Sequence, residues 1–197
     1  GRRIVDRVMT FEPVTLIMLA VAAGGLFLFL QLTGEVMEGD TRAFDEALLL
    51  FLRTADDYST PVGPYWLSHA VDDITALGGV TVLSLMTVMI TGYLLLEKRT
   101  EIAIFTMVSV VGGWLLSSLL KLGVARPRPD IVPHLVDVHD LSFPSGHAML
   151  AAVTYLTLGV LLSRVLPSRG TRLYVIGVAV FLTLIVGLSR VYLGVHY

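Results

Sequence analysis

The chain has 197 residues, 55% of them hydrophobic and only 15% charged, where an ordinary soluble domain carries roughly 25% charged residues. A formal net charge of −2 gives no global pull towards nucleic acid, and the absence of cysteine excludes disulfide frameworks and thiolate metal sites. The charges fall between long apolar runs, the pattern of a chain that crosses a bilayer several times. In chain order, the first run is Pro13 to Thr33, free of charge. It is too long for a signal-peptide core and lacks a clear small-residue cleavage site, so it reads as a span.

Residues 34–73 follow as an extracytoplasmic loop. Within it Phe44, Leu48, Phe51 and Leu52 recur at helical spacing among Arg42, Asp45, Glu46 and Arg53. That spacing predicts a short amphipathic helix over Thr41 to Arg53, lying at the membrane surface or docked against the bundle. Further spans are expected over Ile74–Leu96, Ile102–Leu120, Gly146–Ser163 and Leu173–Leu188. The fold class is therefore all-α: a polytopic transmembrane helix bundle with five spans, residues 1–197 forming a single membrane-embedded domain. Gly24-Gly25 and Gly112-Gly113 are candidate points of close helix packing, within the bundle or between chains.

Basic residues set the orientation. Arg2, Arg3 and Arg7 precede the first span, Lys98 and Arg99 fill the turn between the second and third, and Arg164, Arg169 and Arg172 fill the turn between the fourth and fifth. These segments belong on the cytoplasmic side. The 34–73 loop holds Glu35, Glu38, Asp40, Asp56, Asp57, Asp72 and Asp73 and lies outside. The ends of spans three and five and the start of span four then share the outer face.

Three remote segments meet there. Lys121 and Arg126-Pro127-Arg128-Pro129 close span three, Pro144-Ser145-Gly146-His147 opens span four, and Ser189-Arg190 with His196 closes span five. Each has a plain reading: a cationic collar reaching to headgroups, a capped helix start, a basic partner for a helix dipole. Together they make an anion site. Prolines hold the arginines on an extended course, Gly146 lets a bulky anion approach the backbone, and fixed cations suit the equatorial oxygens of a transferring phosphoryl group. Two histidines add a nucleophile and a proton donor.

On these residues the sequence resembles the type 2 phosphatidic acid phosphatase superfamily of integral membrane phosphatases. That family's signature reads Lys, six residues, Arg-Pro; then Pro-Ser-Gly-His; then Ser-Arg, five residues, His, three residues, Asp. Lys121, Arg128 and Pro129 match the first part, residues 144–147 the second, and Ser189, Arg190 and His196 the third up to its last member. The resemblance covers the chain from about Leu67 onward. It implies a lipid phosphatase that hydrolyses a phosphomonoester or pyrophosphate of a membrane lipid, with no metal and no cofactor. His196 would be the nucleophile forming a phosphohistidine and His147 the general acid. Lys121, Arg128 and Arg190 would hold the phosphate oxygens, helped by Ser145 and the amide of Gly146. The closing Asp would fall three residues beyond Tyr197 and a sixth span after it, so a longer parent chain is expected.

The expected partners are the bilayer and a lipid phosphate or pyrophosphate: phosphatidic acid, phosphatidylglycerol phosphate, undecaprenyl pyrophosphate or a lipid A phosphate, met at the outer face of a bacterial inner membrane. No residue selects among them. Four other readings compete. Vanadate-dependent haloperoxidases share the anion pocket by resemblance but are soluble. A phosphate transporter should place its ionisable residues at mid-bilayer, where these spans are bare. A metal hydrolase would use His134, Asp137, His139 and Asp140. A catalytically inactive, lipid-binding family member would not need the intact Lys121, Arg128, His147, Arg190 and His196.

Overall fold

The computed structural model describes residues 13–136 and 141–196, with side chains from residue 23 onward. Arg2, Arg3, Arg7, Asp137, His139 and Asp140 lie outside the described residues. The chain divides into two compact units, residues 1–43 and 44–197. The first unit is dominated by one helix of 26 residues, α1 (Pro13–Glu38). It ends at Gly39, which turns the chain at φ +86° and donates its N–H to the Glu35 carbonyl at 3.0 Å.

The described part of the second unit holds α2 (Arg42–Phe51, entering from the first unit), β1 (Arg53–Thr54), β2 (Asp57–Pro61), α3 (Tyr65–Ala76), α4 (Val80–Leu96), α5 (Thr100–Val124), α6 (Gly146–Val165) and α7 (Arg169–Tyr192). Helix α7 packs along α6 and also against α3; α5 packs against both α4 and α6, which also touch each other. Among the described residues α5, α6 and α7 are each long and apolar enough to cross a membrane, and α3 with α4 makes a further candidate bent by 45°.

That bend corrects the expected span Ile74–Leu96. Ile74 to Ala76 end α3, and the chain turns through Leu77, Gly78 and Gly79 before α4 begins. The N–H groups of Leu77, Gly78 and Gly79 bond to the carbonyls of Ile74, Thr75 and Ala76 at 3.1, 3.0 and 2.9 Å, a tightened helix end. The Tyr155 hydroxyl donates to the Leu77 carbonyl at 2.8 Å and pins the turn to α6. Only glycine fits at 78: a Cβ there would stand 2.4 Å from Val186 Cγ1 and 3.1 Å from the His147 carbonyl oxygen.

One small hairpin interrupts the otherwise helical fold. β1 and β2 form an antiparallel hairpin, Arg53 opposite Pro61 and Thr54 opposite Asp57, with an irregularity between Arg53 and Thr54. The Asp57 carboxylate drives its turn by accepting the Ser59 N–H at 2.9 Å and the Thr60 hydroxyl at 2.8 Å. The amphipathic helix forms as expected, and the apolar positions divide: Leu52 packs against Val71, Tyr192, Leu193 and Val195. Leu49 is fully buried while Phe44 and Phe51 are 71% and 77% exposed. The run Ala47–Leu52 is apolar all round, so spacing alone does not choose the face. The Asp45–Arg126 ion pair at 2.6 Å fixes the roll.

The packing of the long helices is inverted relative to a soluble protein. Leu85, Val88, Ile104, Val108, Leu119, Phe181 and Leu188 face outward, while Thr87, Thr106, Ser117, Thr154, Ser163 and Ser189 are buried. Thr87, Thr106 and Ser189 satisfy their hydroxyls on the carbonyls of Leu83, Ile102 and Val186. Small residues let backbones approach: a Cβ on Gly113 would stand 2.8 Å from Val153, and one on Gly159 2.9 Å from Ala179. This is how helices pack when the surrounding medium is as apolar as leucine. Gly24, Gly25 and Gly112 make no such contact.

Candidate active site

Helix α5 ends in a left-handed cap. Ala125 sits at φ +49° and its N–H bonds to the Lys121 carbonyl at 2.8 Å. The cap releases the chain into Arg126-Pro127-Arg128-Pro129, where each proline holds the residue before it extended. Helix α6 starts at Gly146 with Ser145 as N-cap, its hydroxyl accepting the Ala148 N–H at 3.4 Å. Helix α7 ends at Tyr192, and Gly194, at φ +73°, turns the chain so that His196 comes back to the other two segments.

A cavity of about 500 Å³ lies between these ends, and Lys121, Arg128, Gly146, His147, Arg190 and His196 all line it. The structure thus brings together six of the seven residues expected from sequence. Ser145 does not line the cavity; its hydroxyl is turned to the helix cap. Gly146 opens the floor: a Cβ there would lie 3.6 Å from Lys121 Nζ, so the ammonium rests over the helix start, an end whose dipole favours an anion.

His196 is 4% exposed. Its Nδ1 hydrogen-bonds the Ser142 carbonyl, which as an acceptor requires the proton on Nδ1 and leaves the lone pair on Nε2. Arg128 Nη1 lies 3.3 Å from that Nε2 and donates to the Val195 carbonyl at 2.5 Å. Burial first, and then the Arg128 and Arg190 cations, push the imidazole down from 6.5 to about 3, against the opposing pull of the Ser142 carbonyl. A neutral imidazole whose Nε2 borders the cavity, set among cations, has the chemistry to attack a phosphate centre.

Arg190 is itself 4% exposed, and its Nη1 donates to Thr75 Oγ1 at 3.1 Å. Sequence reasoning missed Thr75, which arrives from the end of α3 beyond the unforeseen bend. It also missed Ser117, Ser118 and Trp114 on the wall. Ser117 and Ser118 had a signal: they are polar residues inside an apolar run, one turn before Lys121 and so on its side of the helix. Arg126 points away from the cavity into its pair with Asp45. His134 Nε2 is 2.7 Å from the Pro129 carbonyl oxygen. Among the described residues no group of three or more His, Asp or Glu side chains is placed to share a metal ion.

Comparison with known proteins points to one family. The family model described as PAP2 superfamily matches residues 101–197. The chain is 35% identical over 134 residues to phosphatidylglycerophosphatase B of Bacillus subtilis (strain 168), a match covering 67% of this chain and 65% of that protein, so it spans just under two thirds of the relative's length. Among solved structures it resembles the crystal structure of a transmembrane PAP2 type phosphatidylglycerolphosphate phosphatase from Bacillus subtilis. There the TM-score is 0.76 and the identity 30%, over 87% of this chain and 83% of the other. With the signature residues gathered around one cavity at the ends of membrane-type helices, the chain belongs to the PAP2 superfamily.

Proposed function

We propose that this protein is an integral membrane lipid phosphatase that needs no metal ion, acts at the extracytoplasmic face and works through a phosphohistidine on His196. The observation that carries the reading is the convergence of Lys121, Arg128, Arg190, His147 and His196 on one cavity, with the His196 lone pair directed by the Ser142 carbonyl. Five spans with the basic loops inside would put that cavity at the outer leaflet's headgroups, where a lipid phosphate lies.

His196 Nε2 attacks phosphorus as the bond from phosphorus to the lipid oxygen breaks. His147, protonated, gives its proton to that departing oxygen, so the lipid leaves as an alcohol. Lys121, Arg128 and Arg190 hold the equatorial oxygens, with the Gly146 amide in support. Ser145 acts indirectly, by capping the helix that presents Gly146 and His147. Phosphorylation leaves a cationic imidazole whose Nδ1–H stays on the Ser142 carbonyl. Water then attacks the phosphohistidine and yields its proton to His147, releasing inorganic phosphate and restoring both histidines.

The names of the relatives favour a glycerophospholipid phosphomonoester such as phosphatidylglycerol phosphate. The experiment is phosphate release from phosphatidylglycerol phosphate, phosphatidic acid, undecaprenyl pyrophosphate and a lipid A phosphate in detergent with EDTA present, beside His196→Ala and His147→Ala. Chelator-resistant release that both substitutions abolish is the expected result. Folded protein that releases phosphate from none of the four would refute the reading.

A further inference from the structure

Helix α2 and the residue that follows its turn, Arg53, do not line the cavity, yet both ends of this segment reach the frame that holds His196. We propose that Asp45 and Arg53 are positioning residues for His196, so that the docked amphipathic helix serves as a brace for the nucleophile. The proposal rests on the reading of His196 as nucleophile given above.

The first arm is Arg53. The end of α7 leaves carbonyl groups that need donors, and nearly every one can be traced. Ser189, Arg190 and Val191 accept from Leu193, Val195 and Gly194, and the Leu193 carbonyl accepts from the Leu135 N–H at 3.1 Å. The Tyr192 carbonyl is taken by Arg53 Nη1 at 2.9 Å. The guanidinium thus caps the helix where a cation is electrostatically favoured. It also packs against the turn itself: a Cβ on Gly194 would stand 2.5 Å from Arg53 Nη2. His196 follows two residues later.

The second arm is Asp45. It pairs with Arg126 at 2.6 Å, the Arg126 carbonyl accepts the Ser142 N–H at 3.0 Å, and the Ser142 carbonyl holds His196 Nδ1. One arm fixes the backbone that carries His196 and the other fixes the acceptor that sets its ring. Arg53 is 3% exposed, and its Nη1 also lies 3.2 Å from the Leu52 carbonyl, so one guanidinium nitrogen ties the start of the hairpin to the end of α7. What an apolar side chain cannot supply is the directed bond to Tyr192.

The test uses purified full-length protein in detergent with dioctanoyl phosphatidic acid, comparing Arg53→Met, Arg53→Lys and Asp45→Asn with His196→Ala. Displacing a reacting group by about an ångström can cost on the order of a hundredfold. Arg53→Met is therefore expected to lower kcat about tenfold or more with KM unchanged, and to slow phosphoenzyme formation in rapid quench without changing its final amplitude. Arg53→Lys, which can still donate to the Tyr192 carbonyl, recovers part of the loss. Asp45→Asn, at a less deeply buried pair, shows the same pattern more weakly and decides the matter if Arg53→Met does not fold. Wild-type kcat in Arg53→Met and Asp45→Asn, or a loss confined to KM, while His196→Ala is dead, would overturn the brace and leave the nucleophile standing. Activity in His196→Ala would remove both.

Discussion

Acidifying the protein to about pH 5 probes how His196 is held. Its folded pKa of about 3 lies below the roughly 6.5 of an unfolded imidazole. As pH falls, the unfolded chain takes up a proton that the folded chain refuses. The contribution to stability is therefore complete above the unfolded value and is lost progressively as pH falls from there towards 3. At about pH 5 the loss is about 2 kcal/mol, equivalent to a fall of roughly 4–8 °C in Tm for a chain of this size. The assay is thermal unfolding in detergent, followed by tryptophan fluorescence, for wild type and His196→Gln at neutral and acidic pH. Glutamine can still donate to the Ser142 carbonyl but has nothing to titrate. Carboxylates titrate alike in both proteins, so the difference isolates the imidazole. Wild type should lose more stability on acidification than His196→Gln. Equal losses would refute the argument that burial and the Arg128 and Arg190 cations suppress its protonation.

Three further outcomes follow from contacts described above. Tyr155→Phe removes the bond to the Leu77 carbonyl while keeping the ring, and should cost about 1 kcal/mol in thermal unfolding. Gly78→Ala forces a methyl group towards Val186 and the His147 backbone; it should cost about 1–3 kcal/mol and lower kcat, and a variant with wild-type stability would show that the turn relaxes freely. Arg190→Lys should lower kcat/KM on the order of a hundredfold in phosphate release. A lysine there loses the planar fork that reaches both Thr75 and a phosphate oxygen, and near-wild-type activity would remove Arg190 from the phosphate site.

The long helices and their order were legible because apolar runs and basic turns are written in composition. Helices α5, α6 and α7 cover the three runs expected in their places and extend each at one or both ends. The gathering of Lys121, Arg128, His147, Arg190 and His196 around one cavity was legible because they stand at run ends, where topology alone brings them to one depth. The bend at Leu77–Gly79 was hidden: Ile74 to Leu96 is free of charge throughout, and paired glycines in a membrane helix also serve as packing points. What makes 78 a break is Val186 and His147 on other helices. The roll of α2 was only partly legible: Leu52 packs inward as its spacing suggests, but the full burial of Leu49 accompanies a pair with Arg126, some eighty positions from Asp45. The hairpin was masked by its shortness, and Arg53 reads as an ordinary loop cation until the Tyr192 carbonyl is beside it.

The lengths of α5 and α7 carry a consequence of their own. Lys121 lies as many residues from the first residue of α5, Thr100, as Arg190 lies from Arg169 at the start of α7. At the α-helical rise that separation is about 32 Å, close to the roughly 30 Å of a hydrocarbon core. The two helices are thus matched rulers: with Arg99 and Arg169 at their starts in one headgroup layer, Lys121 and Arg190 come level in the other. A thicker or thinner bilayer would be met by tilting, and helices cut to one length but packed differently would not shift their tips equally. For the phosphate site proposed above, the registry of Lys121 and Arg190 then becomes a property shared between the protein and the lipid in which it sits.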